Sequence, residues 1–167
     1  MVIGPESTGK STLCRALAEE LHTEWVPEYA REYLTGLPRG YTEEDLYRMA
    51  LGQLQQEEAA LKRAHRFLIC DTDLYVFKVW SEHAYNRCHK WILEQIAVRK
   101  YDLYLLTDID LPWEADPLRE HEGSYWRNYF YHQYKDIVMN SGVPWAAICG
   151  KEEERKHKAL QGIHHLL

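Results

Sequence analysis

Gly4-Pro5-Glu6-Ser7-Thr8-Gly9-Lys10-Ser11 matches the phosphate-binding loop pattern G-x-x-x-x-G-K-[ST]. The glycines let the backbone wrap tightly, so that successive N–H groups turn inward around a β-phosphate. Lys10 brings positive charge to the β- and γ-phosphates, and the Ser11 hydroxyl is placed to ligate Mg²⁺. Met1-Val2-Ile3 is an apolar run just ahead of the loop. Behind it Leu13, Cys14, Leu17, Ala18 and Leu21 recur at helical spacing. Strand, loop and helix thus stand in the order the motif requires, and the helix N-terminus faces the anion. The expected nucleotide contacts are Gly4, Pro5, Glu6, Ser7, Thr8, Gly9, Lys10, Ser11 and Thr12. The strand ahead of the loop is short, since a buried central strand usually has about five or six residues. Further residues are therefore expected ahead of Met1 in the natural chain.

Outward from the loop, strand-like and helix-like segments alternate, which argues an α/β fold with a parallel sheet. Glu24–Pro27, Phe67–Cys70, Leu103–Leu106 and Val143–Cys149 read as the second to fifth strands. Thr42 reads as the N-cap of a long helix, with acids in its first turn. The whole reads as a three-layer α/β/α fold with a five-stranded parallel sheet. It forms a single domain over residues 1–167, with a lid over about 111–127 after the fourth strand.

Composition narrows the function classes. The 167 residues are 46% hydrophobic and 28% charged, which fits one globular domain. A net charge of −6 disfavours non-specific nucleic-acid binding while leaving a local phosphate site open. Cys14, Cys70, Cys88 and Cys149 form no C-x-x-C pair, so neither a zinc site nor a disulfide framework is indicated. No apolar stretch approaches the roughly 20 residues needed to span a bilayer. A cytoplasmic location without membrane or nucleic-acid partners is the expectation. His164-His165 reads as part of the last helix, within Ile163–Leu167.

In such folds the ligand lies beyond the C-terminal ends of the strands. After the third strand comes Asp71-Thr72-Asp73, and an apolar run ending in Asp is a second signature of phosphate-loop proteins. We place Asp71 at the metal, and Asp73 as a helix cap, a substrate contact or a second choice of base. After the second strand, Glu28 sits where a carboxylate can accept a proton from a substrate hydroxyl. A solvated helix start is the alternative reading there. Tyr29 and Arg31 follow as substrate contacts, Arg31 pairing with Glu28 or with a phosphate. After the fourth strand, a long polar segment carries Arg119 and Arg127. Arginines on a closing segment suit neutralisation of the transferring phosphoryl group, and a solvated surface paired with local acids is the alternative. Trp113 offers a flat face for a ring, or else packs in the core.

Gly4-x-Glu6-Ser7-x-Gly9-Lys10-Ser11, Glu28-Tyr29-x-Arg31, Asp71-Thr72-Asp73 and Pro112-Trp113-x-Ala115-Asp116-x-Leu118-Arg119 stand together in this order. In them the chain resembles the ribosylnicotinamide kinase domain of NadR-type NAD-salvage proteins. The resemblance implies an ATP- and Mg²⁺-dependent kinase that phosphorylates the ribose 5′-hydroxyl of nicotinamide riboside. It also implies that Trp113 stacks on the nicotinamide ring and that Arg119 and Arg127 belong to the lid. Lys10, Glu28, Asp71, Asp73 and Arg119 would then carry the catalysis. Larger members carry a nucleotidyltransferase domain, and some a DNA-binding domain. Neither is read in these residues, so NAD synthesis and operator binding are not expected of them. Pro117 stands where the family pattern has Gly, which leaves another nucleoside acceptor open. A GTPase would carry an Asn/Thr-Lys-x-Asp motif near the fourth strand, and none is present. An ATPase switch, or a regulatory module that binds nucleotide without an acceptor, is the alternative.

Overall fold

The computed structural model describes residues 1–166; Leu167, the end of the domain and last helix as read from the sequence, lies outside the described residues. The elements run β1 (Val2–Ile3), α1 (Lys10–Glu20), β2 (Glu24–Val26), α2 (Tyr29–Thr35), α3 (Glu43–Leu61) and β3 (Leu68–Cys70). They continue α4 (Leu74–Tyr85), α5 (Lys90–Val98), β4 (Tyr104–Thr107), α6 (Ser124–Asn140), β5 (Trp145–Ile148) and α7 (Glu152–His164).

All paired strands are parallel, but they do not form the expected single five-stranded sheet. β1, β4 and β5 make one ladder, with Val2 beside Leu105 and Leu106 beside Ala147. β2 and β3 make another, with Trp25 beside Ile69. One isolated bridge, Val2 to Asp71, joins the two, so the strands lie in the order β2, β3, β1, β4, β5. The reason is the length of β1. Its two residues pair fully with β4, while β3 ends at Cys70 just as it reaches Val2. Part of that bridge is the bond from the Thr72 N–H to the Val2 carbonyl, at 3.0 Å.

Successive strand residues point to opposite faces, and this divides the core. Val2 and Leu105 pack with Leu13, Leu17, Ala159 and Ile163 under α1 and α7. Ile3 and Leu106 pack with Phe130, Tyr134 and Val138 of α6. A third cluster, with Met49, Leu54, Phe77 and Ile92 at its centre, joins α2 to α5. Thr42 caps α3 as its sequence predicts, in a capping box with Asp45. Asp45 also binds Arg39 and the Tyr33 hydroxyl, and Arg39 above all holds its carboxyl well below the usual range. Among the described residues no helix is long and apolar enough to cross a membrane.

Candidate active site

The loop after β1 is fixed from behind. Gly4 has φ 154°, and a Cβ there would run into Thr107 of β4. The Thr8 hydroxyl bonds the Thr107 hydroxyl at 2.7 Å and lies 2.8 Å from the Pro5 carbonyl. Lys10 Nζ reaches across the loop to the same carbonyl at 2.8 Å. Gly9, at φ 75°, is the N-cap of α1 and supplies no side-chain cap, and the first turn carries no acid. The first N–H groups of α1 are thus left to an incoming anion.

Ser11 Oγ donates to Asp71 Oδ2 at 2.5 Å. Thr72, buried at φ 75°, then reverses the chain in a backbone region costly for a branched residue. The reversal sends the two aspartates different ways. Asp71 turns to Ser11. Asp73 caps α4 by accepting from the Tyr75 N–H at 2.9 Å and from the Tyr104 hydroxyl at 2.8 Å. Burial pushes the Asp73 carboxyl up to about 6. It takes the helix-cap place, one of the readings its sequence allows, and like Asp71 it is not among the residues that line the loop cavity.

That cavity holds about 520 Å³, a size usual for a small-molecule site. It runs from the loop past Glu28 and Arg31 to α4 and α6, beneath lid residues that include Leu118 and Arg119. Glu28 occupies the N-cap position of α2, yet its side chain caps nothing. Burial raises its carboxyl above the usual range; Lys10 pulls it back, and Asp71 raises it further. Burial likewise raises Asp71, against the pull of Lys10 and the Ser11 hydroxyl.

The Ser11 hydroxyl and the Asp71 carboxylate are hard oxygen donors brought together beside the loop. This donor set fits Mg²⁺, which binds through few protein oxygens and completes its octahedron with water and phosphate. Among the described residues no three His, Cys, Asp or Glu side chains converge as a metal site, so such an ion would depend on phosphate and water for its other ligands.

Several expected contacts take other positions. Arg31 lines the cavity, but its guanidinium pairs with Asp116 of the lid at 2.9 Å. The Tyr29 ring packs over Gly52 of α3, where a Cβ would collide with it, and its N–H bonds Gln53 at 2.8 Å. Trp113 is off the cavity wall and carries the Arg119 guanidinium over its ring, 5.8 Å from the centroid. Arg119 in turn reaches Ser7 Oγ at 3.2 Å. Arg127, also off the wall, bonds the carbonyls of Leu111 at 2.8 Å and Ser7 at 3.3 Å. Ser7, at φ 56°, therefore takes three of the lid's bonds, from Glu114, Arg119 and Arg127, and the His121 N–H reaches Glu6 beside it at 3.4 Å.

Arg155 of α7 was not picked out from the sequence. It is 3% exposed and donates to the carbonyls of Thr8 at 2.7 Å, Gly150 at 2.8 Å and Asp108 at 3.1 Å, and to the Asp110 carboxylate. One guanidinium thus ties the phosphate loop to the loops after β4 and β5. Its sequence setting, Glu152-Glu153-Glu154-Arg155-Lys156, reads as a solvated helix start and carries no signal of this role. His83 and His121, whose Nε2 atoms lie 3.2 Å apart between α4 and the lid, were not read from the sequence either.

The family described as AAA domain (AAA_28) matches residues 1–155. The trifunctional NAD biosynthesis/regulator protein NadR of Salmonella typhimurium is 28% identical over 151 residues, covering 88% of this chain and 37% of the relative. Its Escherichia coli counterpart is 29% identical over 166 residues, covering 97% and 40%. The chain therefore spans less than half the length of these relatives. Among solved structures, a NadR protein in complex with NAD and AMP-PNP superposes with a TM-score of 0.74 at 23% identity, over 99% of this chain and 48% of that one. A NadR protein in complex with NR gives 0.73 at 24%, over 99% and 50%. A deoxyadenosine kinase from M. mycoides, with dCMP and dCDP bound, gives 0.68 at 14%, over 98% and 97%. The sequence resemblance to NadR proteins and the phosphate-loop kinase-like fold are both borne out.

Proposed function

We propose, from the premise that the chain belongs to the AAA domain family, that it transfers the γ-phosphate of ATP to the ribose 5′-hydroxyl of nicotinamide riboside or a similar nucleoside. One observation carries this reading: a single cavity joins Lys10 and Ser11 at the loop to the Glu28 carboxylate beneath an arginine-bearing lid. A nucleotide at one end and a hydroxyl compound at the other would meet in line there. Phosphoryl transfer asks the protein mainly for positioning and charge stabilisation.

The loop N–H groups, the open start of α1 and Lys10 hold the phosphates. Ser11 and Asp71 would hold Mg²⁺, which supplies charge neutralisation at the phosphates when bound. Glu28 accepts the proton of the attacking hydroxyl. Its burial makes the carboxylate more basic, which suits that task. Arg119 approaches from the lid to stabilise the charge on the transferring group, and Trp113 holds its guanidinium in place. A ring stacked on Trp113 would have to displace Arg119. Arg127 ties the start of the lid to the loop. The nicotinamide acceptor rests on the likeness to NadR proteins, and the cytoplasmic location and the absence of membrane and nucleic-acid partners stand as part of the same reading.

The test is ATP consumption with Mg²⁺ in the presence of nicotinamide riboside, of each common nucleoside, and of no acceptor. Turnover with nicotinamide riboside and formation of nicotinamide mononucleotide is the expected result. Turnover with another nucleoside keeps the reaction and moves the acceptor. Hydrolysis that no acceptor stimulates would replace the kinase with a nucleotide-hydrolysing switch.

A further inference from the structure

His83 of α4 and His121 of the lid meet nitrogen to nitrogen, with Nε2 3.2 Å from Nε2. The proposed reaction uses neither of them. Their rings cross at 70° with centroids 5.0 Å apart. Both stand edge-on to Trp126, at 5.0 and 5.3 Å, and to Phe130, at 5.2 and 4.8 Å, and both are half-buried there.

An imidazole nitrogen either carries a proton or offers a lone pair. At this distance the two Nε2 atoms bond only when one proton lies between them. A neutral pair meets that condition. So does a pair with one positive charge, because the added proton goes to Nδ1 of the donor ring. A second positive charge puts an N–H on each facing nitrogen, and the bond becomes a repulsion between like charges.

The surroundings do little to offset that repulsion. On α4, Glu82 is paired with Lys78 at 2.7 Å. α6 turns the uncharged rings of Trp126, Tyr129 and Phe130 towards His83, and its Arg127 is bonded to carbonyls. On the lid, Glu120 accepts from the Tyr41 hydroxyl at 2.9 Å, Asp116 is paired with Arg31, and Glu122 is exposed. On the phosphate loop, Glu6 accepts the backbone N–H of His121 at 3.4 Å. Burial, and next the charge of His121, hold His83 below its usual range, while Glu120 pulls the other way.

We propose that His83 and His121 form a proton-sensitive latch between α4 and the lid, shut while one proton lies between the facing nitrogens and released when each ring carries its own. The same segment rests on the phosphate loop, where the Glu114 N–H and Arg119 reach Ser7 Oγ at 2.8 and 3.2 Å. The latch therefore sets how firmly the lid covers the loop, and it stands whether or not the chain phosphorylates a nucleoside. Because His83 is held below its usual value of about 6.5, closure is complete above that pH and is lost as pH falls through the lowered value.

Hydrogen exchange followed by mass spectrometry reads closure on peptides covering residues 111–123, at about pH 7.5 and about pH 5 with intrinsic rates divided out. Wild-type protection should fall about 3- to 10-fold on acidification, the worth of one hydrogen bond. His83→Gln can donate to His121 or accept from it and brings no charge, so its protection should fall less than about twofold. Glu57 and Asp73, which also gain protons in this interval, act equally in both proteins. A wild-type fall below about threefold, or a variant fall above about twofold, overturns the latch. Should His83→Gln melt well below wild type, His121→Gln takes its place under the same criteria. Should both melt, an NMR titration of the two rings in wild type decides. Coupled steps, the second below about 6.5, uphold the latch, and independent titration of the two rings overturns it.

Discussion

Replacing Arg155 with Leu should be among the most damaging single changes in this protein, although its sequence neighbours are surface charges. The guanidinium satisfies three backbone carbonyls and a carboxylate. The Thr8 carbonyl is fully buried in this contact, and leaving it unpaired costs about 1–3 kcal/mol. The Gly150 and Asp108 carbonyls are only partly buried and regain water, so each loses about 0.5–1.5 kcal/mol. The pair with Asp110, whose side chain is 36% exposed, adds at most about 1 kcal/mol. A loss of roughly 3–5 kcal/mol follows, a large share of the 5–15 kcal/mol typical of a domain. At about 2–4 °C per kcal/mol for a chain of this size, Tm should fall by roughly 10 °C. Guanidinium unfolding monitored by circular dichroism, with a lower midpoint and an unchanged slope, is the assay. Arg48→Ala, which removes an exposed i,i+4 pair with Glu44, is the comparison and should cost less than about 0.5 kcal/mol. An Arg155→Leu protein within about 1 kcal/mol of wild type would refute the view that this residue fastens the three loops.

Three further outcomes follow from the same geometry. Glu28→Gln should lower kcat by about 10²–10⁴-fold while ATP binding, measured by calorimetry, stays within about twofold of wild type. Thr42→Ala removes the capping hydroxyl of α3 and should cost about 1 kcal/mol in a denaturant titration. Burial pushes the Glu57 carboxyl up to about 7, so its neutral form is favoured in the folded protein. The stability this group contributes is present below its unfolded pKa, near 4.5, and is lost as pH rises towards 7. Glu57→Gln should therefore raise Tm at pH 8 and leave it nearly unchanged at pH 4, as thermal scans would show.

Much of the loop end of the site was legible, because local chemistry decides it. The bend at Gly4, the fold of Lys10 over the loop and the meeting of Ser11 with Asp71 follow from backbone shape and donor chemistry that short motifs specify. The sheet was less legible. Its division depends on how far β1 and β3 overlap, which comes down to Val2 meeting Asp71 and no more. The two aspartates after β3 look alike in sequence, and only the left-handed turn at Thr72 sends them apart. The lid was hardest. Trp113 reads as a ring-stacking platform, but its partner is settled by the path of residues 111–123, which is held by distant groups at Ser7, Arg31 and Tyr41. Arg155 meets Thr8 across 147 positions of chain, and no local pattern carries such information.

On the proposed function, the start of α1 links the stability of the fold to nucleotide. A helix that opens on Gly9 without a capping side chain would be capped by an anion over its first turn. Any nucleotide that binds only the folded chain adds stability that grows with the logarithm of its concentration, about 2.7 kcal/mol at a hundred times its Kd. When nucleotide runs low, more of the chain opens at any moment and proteases find it more readily. Survival of the polypeptide and occupancy of its loop are thereby linked, so the abundance of the protein would follow the availability of what it binds.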